Sequence, residues 1–125
     1  MSRFATSIRR TAAILVLVLV AGPGSATDQQ GRYFMMGPGQ AVCRDFVAAI
    51  QQQDAIVYAA WLSGYMTALN LALPDTYHIG GRSTDDQLMQ GLTDWCQANP
   101  DQLFGAASLT LVQSLKPNRL RQPPP

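Results

Sequence analysis

The chain has 125 residues, 47% of them hydrophobic and 14% charged, with a formal net charge of +1. That length suits one domain, and the apolar content excludes a disordered chain. A net charge this small argues against a nucleic-acid partner, and one His with two Cys cannot assemble a four-ligand zinc site.

Arg3, Arg9 and Arg10 precede an uncharged apolar run, Thr11 to Ala21, which Gly22-Pro23-Gly24 ends. Gly24-Ser25-Ala26 then puts small residues before a cleavable bond. This three-part order predicts a secretory signal peptide over residues 1–26. Thr11-Ala12-Ala13 follows the arginine pair where the twin-arginine route expects apolar residues, so the Sec-type route and a periplasmic destination are expected. The apolar run falls short of the roughly 20 residues that span a bilayer as a helix, so a cleaved signal and not a retained anchor is expected. After signal removal no stable membrane span is expected: residues 55–73 nominally reach that length, but Ser63, Thr67 and Asn70 interrupt them and no basic flank anchors them. Cleavage after Ala26 leaves residues 27–125, with six basic and eight acidic side chains and a net charge of −2. Every acid is Asp.

Residues 27–39 (TDQQGRYFMMGPG) read as an extended arm. Its Tyr33, Phe34, Met35 and Met36 form either an apolar patch laid on the domain or a strip for a partner. A helical domain is expected over residues 40–116. Its first helix, 40–52, carries Cys43, Phe46, Val47 and Ile50 at i, i+3, i+4 and i+7. Asp54 can cap the second helix. That helix, 55–73 (AIVYAAWLSGYMTALNLAL), is apolar nearly all round, which predicts a central, buried position. Gly64 costs helix propensity, so another backbone is expected to come close there.

Pro74 stops the second helix, and residues 74–84 (PDTYHIGGRST) form a Gly-rich loop. Thr84-Asp85-Asp86-Gln87 matches a capping box, and Leu88, Leu92 and Trp95, with Met89 and Cys96, give the third helix its inner face. Asn99-Pro100-Asp101 reads as a restart: an Asn N-cap, Pro at the first helical position and an acid in the first turn. Phe104, Ala107, Leu111 and Leu115 line the fourth helix up to Lys116-Pro117. Residues 117–125 are a basic, Pro-rich tail, expected to be solvated and mobile. No stretch alternates with period two, so the fold class is all-α, a small four-helix domain with one disulfide behind a cleavable signal peptide.

Cys43 and Cys96 are the only thiols, and export puts them where disulfides persist. An even count in a short secreted chain reads as one bridge, here joining the first helix to the third. Neither thiol has a C-x-x-C neighbour, so a reactive pair is not expected.

Little in the chain has the pattern of catalysis. Ser63 and Ser108 lie on helices with no nucleophile elbow, and the adjacent Asp85-Asp86 is explained by capping. The chain is expected to be non-enzymatic, with no cofactor and no metal. Asp75, Tyr77, His78 and Arg82 share one loop and are candidate partner-binding residues; the simpler alternative is a turn cap at Asp75 with His78 at the surface. Trp61, Tyr65, Leu69 and Phe104 are candidate client- or partner-binding residues that otherwise belong to the core.

Three motifs resemble the periplasmic acid-stress chaperones of the HdeA/HdeB family. Cys43-Arg44-Asp45-Phe46-Val47 is similar to that family's Cys-x-acid-Phe-aliphatic opening. Tyr58-Ala59-Ala60-Trp61-Leu62 resembles the aromatic central helix of the HdeB branch, and Asp94-Trp95-Cys96-Gln97-Ala98-Asn99-Pro100 resembles an aromatic-Cys-x-x-Asn-Pro turn. The resemblance covers roughly residues 41–105. It implies a helical domain with one disulfide, a homodimer near neutral pH, and acid-released apolar surface that binds unfolded clients. The chain departs from the family in having one Lys and no Glu. The stretch Trp61–Asn70 (WLSGYMTALN) also resembles Tai-type immunity proteins, which implies instead a fixed shape binding one protein partner at neutral pH.

The acid mechanism is legible in charge. Protonating all eight Asp moves the mature chain from −2 to +6. Asp54, Asp86 and Asp101, as charged caps, would each lose about 0.5–1 kcal/mol, and the loosened chain, held by its disulfide, would expose Trp61, Leu69 or Phe104.

Overall fold

The computed structural model describes residues 27–125. The signal-peptide region, 1–26, lies outside the described residues. The chain divides after Tyr33 into two units. In the first, Asp28 closes a short turn. Its Oδ1 accepts from Gln30 N (2.9 Å) and Arg32 N (2.7 Å), and its Oδ2 accepts from Arg32 Nε (2.8 Å). The Arg32 backbone bond holds the Asp28 carboxyl below the usual carboxylate range; desolvation opposes it, and the Arg32 side chain and Gln30 N add smaller lowering effects.

The second unit, Phe34–Pro125, holds four helices and, among the described residues, no β-strand. A 3₁₀ turn at Gly37–Gln40 precedes α1 (Cys43–Gln51), α2 (Ile56–Ala72), α3 (Asp85–Ala98) and α4 (Phe104–Leu115), and a second 3₁₀ turn covers Lys116–Asn118. α1 packs on α3, and α3 on α4. The 37–40 turn inserts between α4 and α2.

The cysteines are joined, with an S–S distance of 2.06 Å and Cα atoms 4.8 Å apart, so the bridge ties α1 to α3. Both half-cystines are fully buried, with Phe46, Ile79, Leu92, Phe104 and Ser108. Phe46, Tyr58 and Phe104 form an aromatic triangle with centroids 4.7–5.1 Å apart, Tyr58 meeting both phenylalanines edge-to-face, a packing that adds stability beyond area burial. Trp61 meets Phe104 at 5.7 Å.

The stripe predicted for α1 is the face that packs: Cys43 and Phe46 are buried, with Val47 and Ile50 against them. The helix starts later than expected because its first donors are taken by another segment. Cys43 N donates to Gln102 O (2.8 Å) and Arg44 N to Pro100 O (3.0 Å), while Phe104 N donates back to Ala41 O (2.8 Å). These exchanged bonds do the work of caps for α1 and α4, neither of which has a side-chain cap. They also overturn the predicted restart at Asn99-Pro100-Asp101. Asn99 instead closes α3, its Nδ2 donating to Trp95 O (2.9 Å). Asp101 pairs with Arg44, and α4 waits until Phe104.

The capping box of α3 is present in full: Gln87 N donates to Thr84 Oγ1 (3.2 Å) and Thr84 N to Gln87 Oε1 (2.9 Å). Asp54 is not a cap. The residue before α2 is Ala55, no side chain caps that helix, and Asp54 N donates back to Ala49 O at 2.9 Å. The turn is made by Gln53, whose φ is 57°.

The expected extended arm is extended only between the Asp28 turn and the 3₁₀ turn that starts at Gly37. Gly39 is buried under Trp61, where a Cβ would stand 2.5 Å from the ring, and Trp61 Nε1 donates to Met36 O at 2.8 Å. Met35 packs into the space left by the missing side chain of Gly105 on α4. The tail is also part of the domain. Leu120 bridges His78, with Tyr77 N and His78 N donating to Leu120 O and Leu120 N to His78 O. Arg119 Nε donates to Asp75 O (3.1 Å), and Arg119 and Arg121 both pair with the Asp75 carboxylate.

Candidate binding surface

α2 departs most from expectation. Only Leu62 and Met66 of its 17 residues are buried, so it is not a central helix. Tyr58, Trp61, Tyr65, Leu69 and Leu73 rest against the core on the same side. The opposite side carries Ile56, Val57, Ala60, Gly64, Thr67, Ala68 and Leu71, all exposed. Ile56 is 73% exposed and Leu71 85%. Residues 55–74 contain no charged side chain. The hydroxyls on this side are turned inward to their own helix: Ser63 Oγ donates to Ala59 O (2.9 Å) and Thr67 Oγ1 to Ser63 O (2.8 Å). The face therefore offers a partner apolar contact and few free donors. A Cβ at Gly64 would meet nothing within 4 Å, so the close backbone approach expected there does not occur within this chain.

Phe34 and Met36 add exposed apolar surface in the strip that leads to the 37–40 turn. No helix of the described residues is long and apolar enough to cross a membrane.

The sequence-derived candidates separate into three groups. Cys43 and Cys96 form the bridge. Trp61, Tyr65 and Leu69 are half-buried on the inner side of α2, and Phe104 is fully buried, out of a partner's reach while the domain is folded. Asp75, Tyr77 and Arg82 are exposed and His78 half-buried on a loop held firmly by the tail. What periodicity missed is the outer face of α2: a sequence apolar on all sides does not say which side the domain will cover.

A cavity of about 200 Å³ lies between α2 and α3, beside the 78–80 loop, and is lined by Ser63, Met66, Asn70, His78, Asp85 and Met89 among others. Asn70 Oδ1 accepts from Ile79 N at 2.7 Å and fixes the loop to α2. Ser63, His78 and Asp85 all border the cavity, but Ser63 Oγ donates to Ala59 O and the buried His78 Nδ1 has no hydrogen-bond partner. Neither link of a nucleophilic relay is made. Comparison with protein-family models, with curated proteins and with solved structures returns no match for this chain.

Proposed function

We propose that the chain is an exported, non-catalytic protein-binding domain that presents the outer face of α2 to apolar segments of another polypeptide at neutral pH. The observation that carries the proposal is an uncharged stretch, residues 55–74, whose helix α2 has one side covered and the other bare. Removing a large aliphatic side chain from water is worth about 1.5–3 kcal/mol, and Ile56, Val57 and Leu71 line one exposed face. Patches of this kind mark contact sites. The disulfide is consistent with an oxidising compartment such as the periplasm.

Acid release draws less support than constitutive binding. All eight Asp are exposed, so protonation discharges no buried carboxylate. The ion pairs at Arg44–Asp101 and Arg121–Asp75 are also exposed, and such pairs contribute about 0–1 kcal/mol. Of the three expected charged caps, Asp54 and Asp101 do not cap.

The decisive experiment mixes the oxidised mature chain with a thermally unfolding client protein at pH 7 and at pH 3, and follows light scattering. Suppression at pH 7, abolished in Leu71→Asp with unchanged near-UV CD, is expected. Suppression confined to pH 3 would transfer the function to an acid-stress chaperone of the HdeA/HdeB type. No suppression at either pH, with Leu71→Asp equal to the parent in apolar-dye binding, would overturn the proposal. A second reading, a binder of one specific partner through residues 74–84, is favoured by one observation: Arg119 and Leu120 hold that loop in one shape while Asp75, Tyr77 and Arg82 remain exposed. In that case Tyr77→Ala, and not Leu71→Asp, weakens capture of the partner.

A further inference from the structure

We propose that Met35 is a modification site: hypochlorous acid converts its thioether to the sulfoxide, and the sulfoxide releases residues 34–40 from α2 and α4. The geometry at Gly105, near the start of α4, carries the proposal. A Cβ on that glycine would stand 1.8 Å from Met35 Sδ, 2.7 Å from Met35 Cε and 2.8 Å from Gly39 O. The sulfur therefore rests on the α4 backbone, in a notch that any side chain would close, with a carbonyl oxygen crowding the same point. Gly105 is itself buried.

This sulfur fastens the turn that joins α2 to α4. The 37–40 turn packs on both helices. On the α2 side, a Cβ at Gly39 would stand 2.5 Å from Trp61 Cζ2, and Trp61 Nε1 donates to Met36 O at 2.8 Å. Gln40 Nε2 donates to Met35 O. The segment is thus laid down on two glycine contacts, one at each helix. Met35 is the side chain that anchors its first part: Phe34 and Met36 on either side are 84% and 73% exposed, whereas Met35 is half-buried.

The oxygen transfer balances. The thioether sulfur gives up two electrons and gains the oxygen, the O–Cl bond breaks, chlorine leaves with the electron pair as chloride, and the proton goes to water. The product is a polar side chain in place of an apolar one. A sulfoxide oxygen only accepts hydrogen bonds, and the group that shares its notch, Gly39 O, is also an acceptor. Kept in place, the new oxygen would be a buried acceptor facing an acceptor, which costs free energy; moved into water, it is satisfied. The same chemistry has no such effect at Met36, whose tie to the domain is its backbone carbonyl. Met66 is buried in the core and is reached later. The site does not use the outer face of α2, so it stands or falls apart from the proposed protein binding.

The test treats the disulfide-bonded mature chain carrying Met36→Leu, which removes the freely exposed competitor, with stoichiometric hypochlorous acid. Peptide mass spectrometry locates the added oxygen. Hydrogen exchange of the Trp61 indole N–H, followed by NMR, reports its bond to the carbonyl of residue 36. Met35 is expected to gain oxygen before Met66 and Met89. Indole exchange should then rise about tenfold or more, the factor expected for one buried unpaired acceptor, and methionine sulfoxide reductase should restore it. Without oxidant, Met35→Gln, polar and of similar length, should raise exchange in the same way, as should Gly105→Ala, which fills the notch from the α4 side. Helical far-UV CD should be kept throughout. Met35 unmodified after Met66 and Met89 have reacted, or fully converted with exchange unchanged, would overturn the site. Faster exchange accompanied by loss of helical CD would mean global unfolding and would overturn the local release.

Discussion

Tyr58 carries two kinds of contact at once. Its ring closes the aromatic triangle with Phe46 and Phe104, and its hydroxyl feels the charge of Asp45. Burial first, and the Asp45 charge second, push its ionisation above the ordinary phenol value. The unfolded chain loses this proton near pH 10, while the folded chain keeps it to higher pH. Above about pH 10 the folded state therefore holds more protons than the unfolded one, and stability falls as pH rises. The contribution is fully present below that range. Thermal melts of the parent should drop on going from pH 9 to pH 11 more steeply than those of Tyr58→Phe, which keeps the ring and removes the titration. Equal slopes would show that Tyr58 does not govern the alkaline limit. Residue-scale signals of this kind are partly legible in the chain: Phe46 stood on a predicted inner face, but that Tyr58 and Phe104 would meet it depended on packing between helices.

At the scale of elements, capping chemistry was legible where the cap is local and illegible where it is not. Thr84 and Gln87 are three residues apart and satisfy each other's backbone donors on their own helix. The Asn99-Pro100-Asp101 signal is equally local, yet the carbonyls of Pro100 and Gln102 are claimed by α1, more than 50 residues away in sequence, and the helix starts later. Gly64 offers a direct measure of how bare α2 is. A helix-interior glycine costs about 0.8–1.0 kcal/mol relative to alanine, and a Cβ at this position has open space. Gly64→Ala should therefore stabilise the isolated domain by about 0.5–1 kcal/mol in urea unfolding, with the slope unchanged. Destabilisation would mean that a neighbour covers the helix in solution.

For the whole molecule, the bridge between Cys43 and Cys96 closes a long loop in a small domain, and the chain-entropy account gives it about 4 kcal/mol. That is a large share of the 5–15 kcal/mol by which domains hold together. Reduction under mild conditions should lower the midpoint of thermal unfolding by at least about 10 °C and increase apolar-dye binding. A reduced sample melting with the oxidised one would remove the bridge from the energetic account. The tail acts at the same scale. Residues 119–121 link the end of the chain to the 75–78 loop, which in turn is fixed to α2 through Asn70. Loop, tail and α2 therefore form one connected assembly.

The sequence by itself determined four helices, their order, the capping box at α3 and the pairing of the cysteines, because each rests on short-range periodicity, neighbouring side chains or a count of two. Only the tertiary structure decided that α2 lies at the side of the domain with one face bare, that the tail returns to the 74–84 loop, and that His78, Met66 and Met89 border one cavity. The physical reason is the same for all three. An apolar residue states that burial would be favourable, but the geometry of packing decides which of many apolar surfaces is covered, and in this chain there are more such surfaces on α2 than its neighbours can cover.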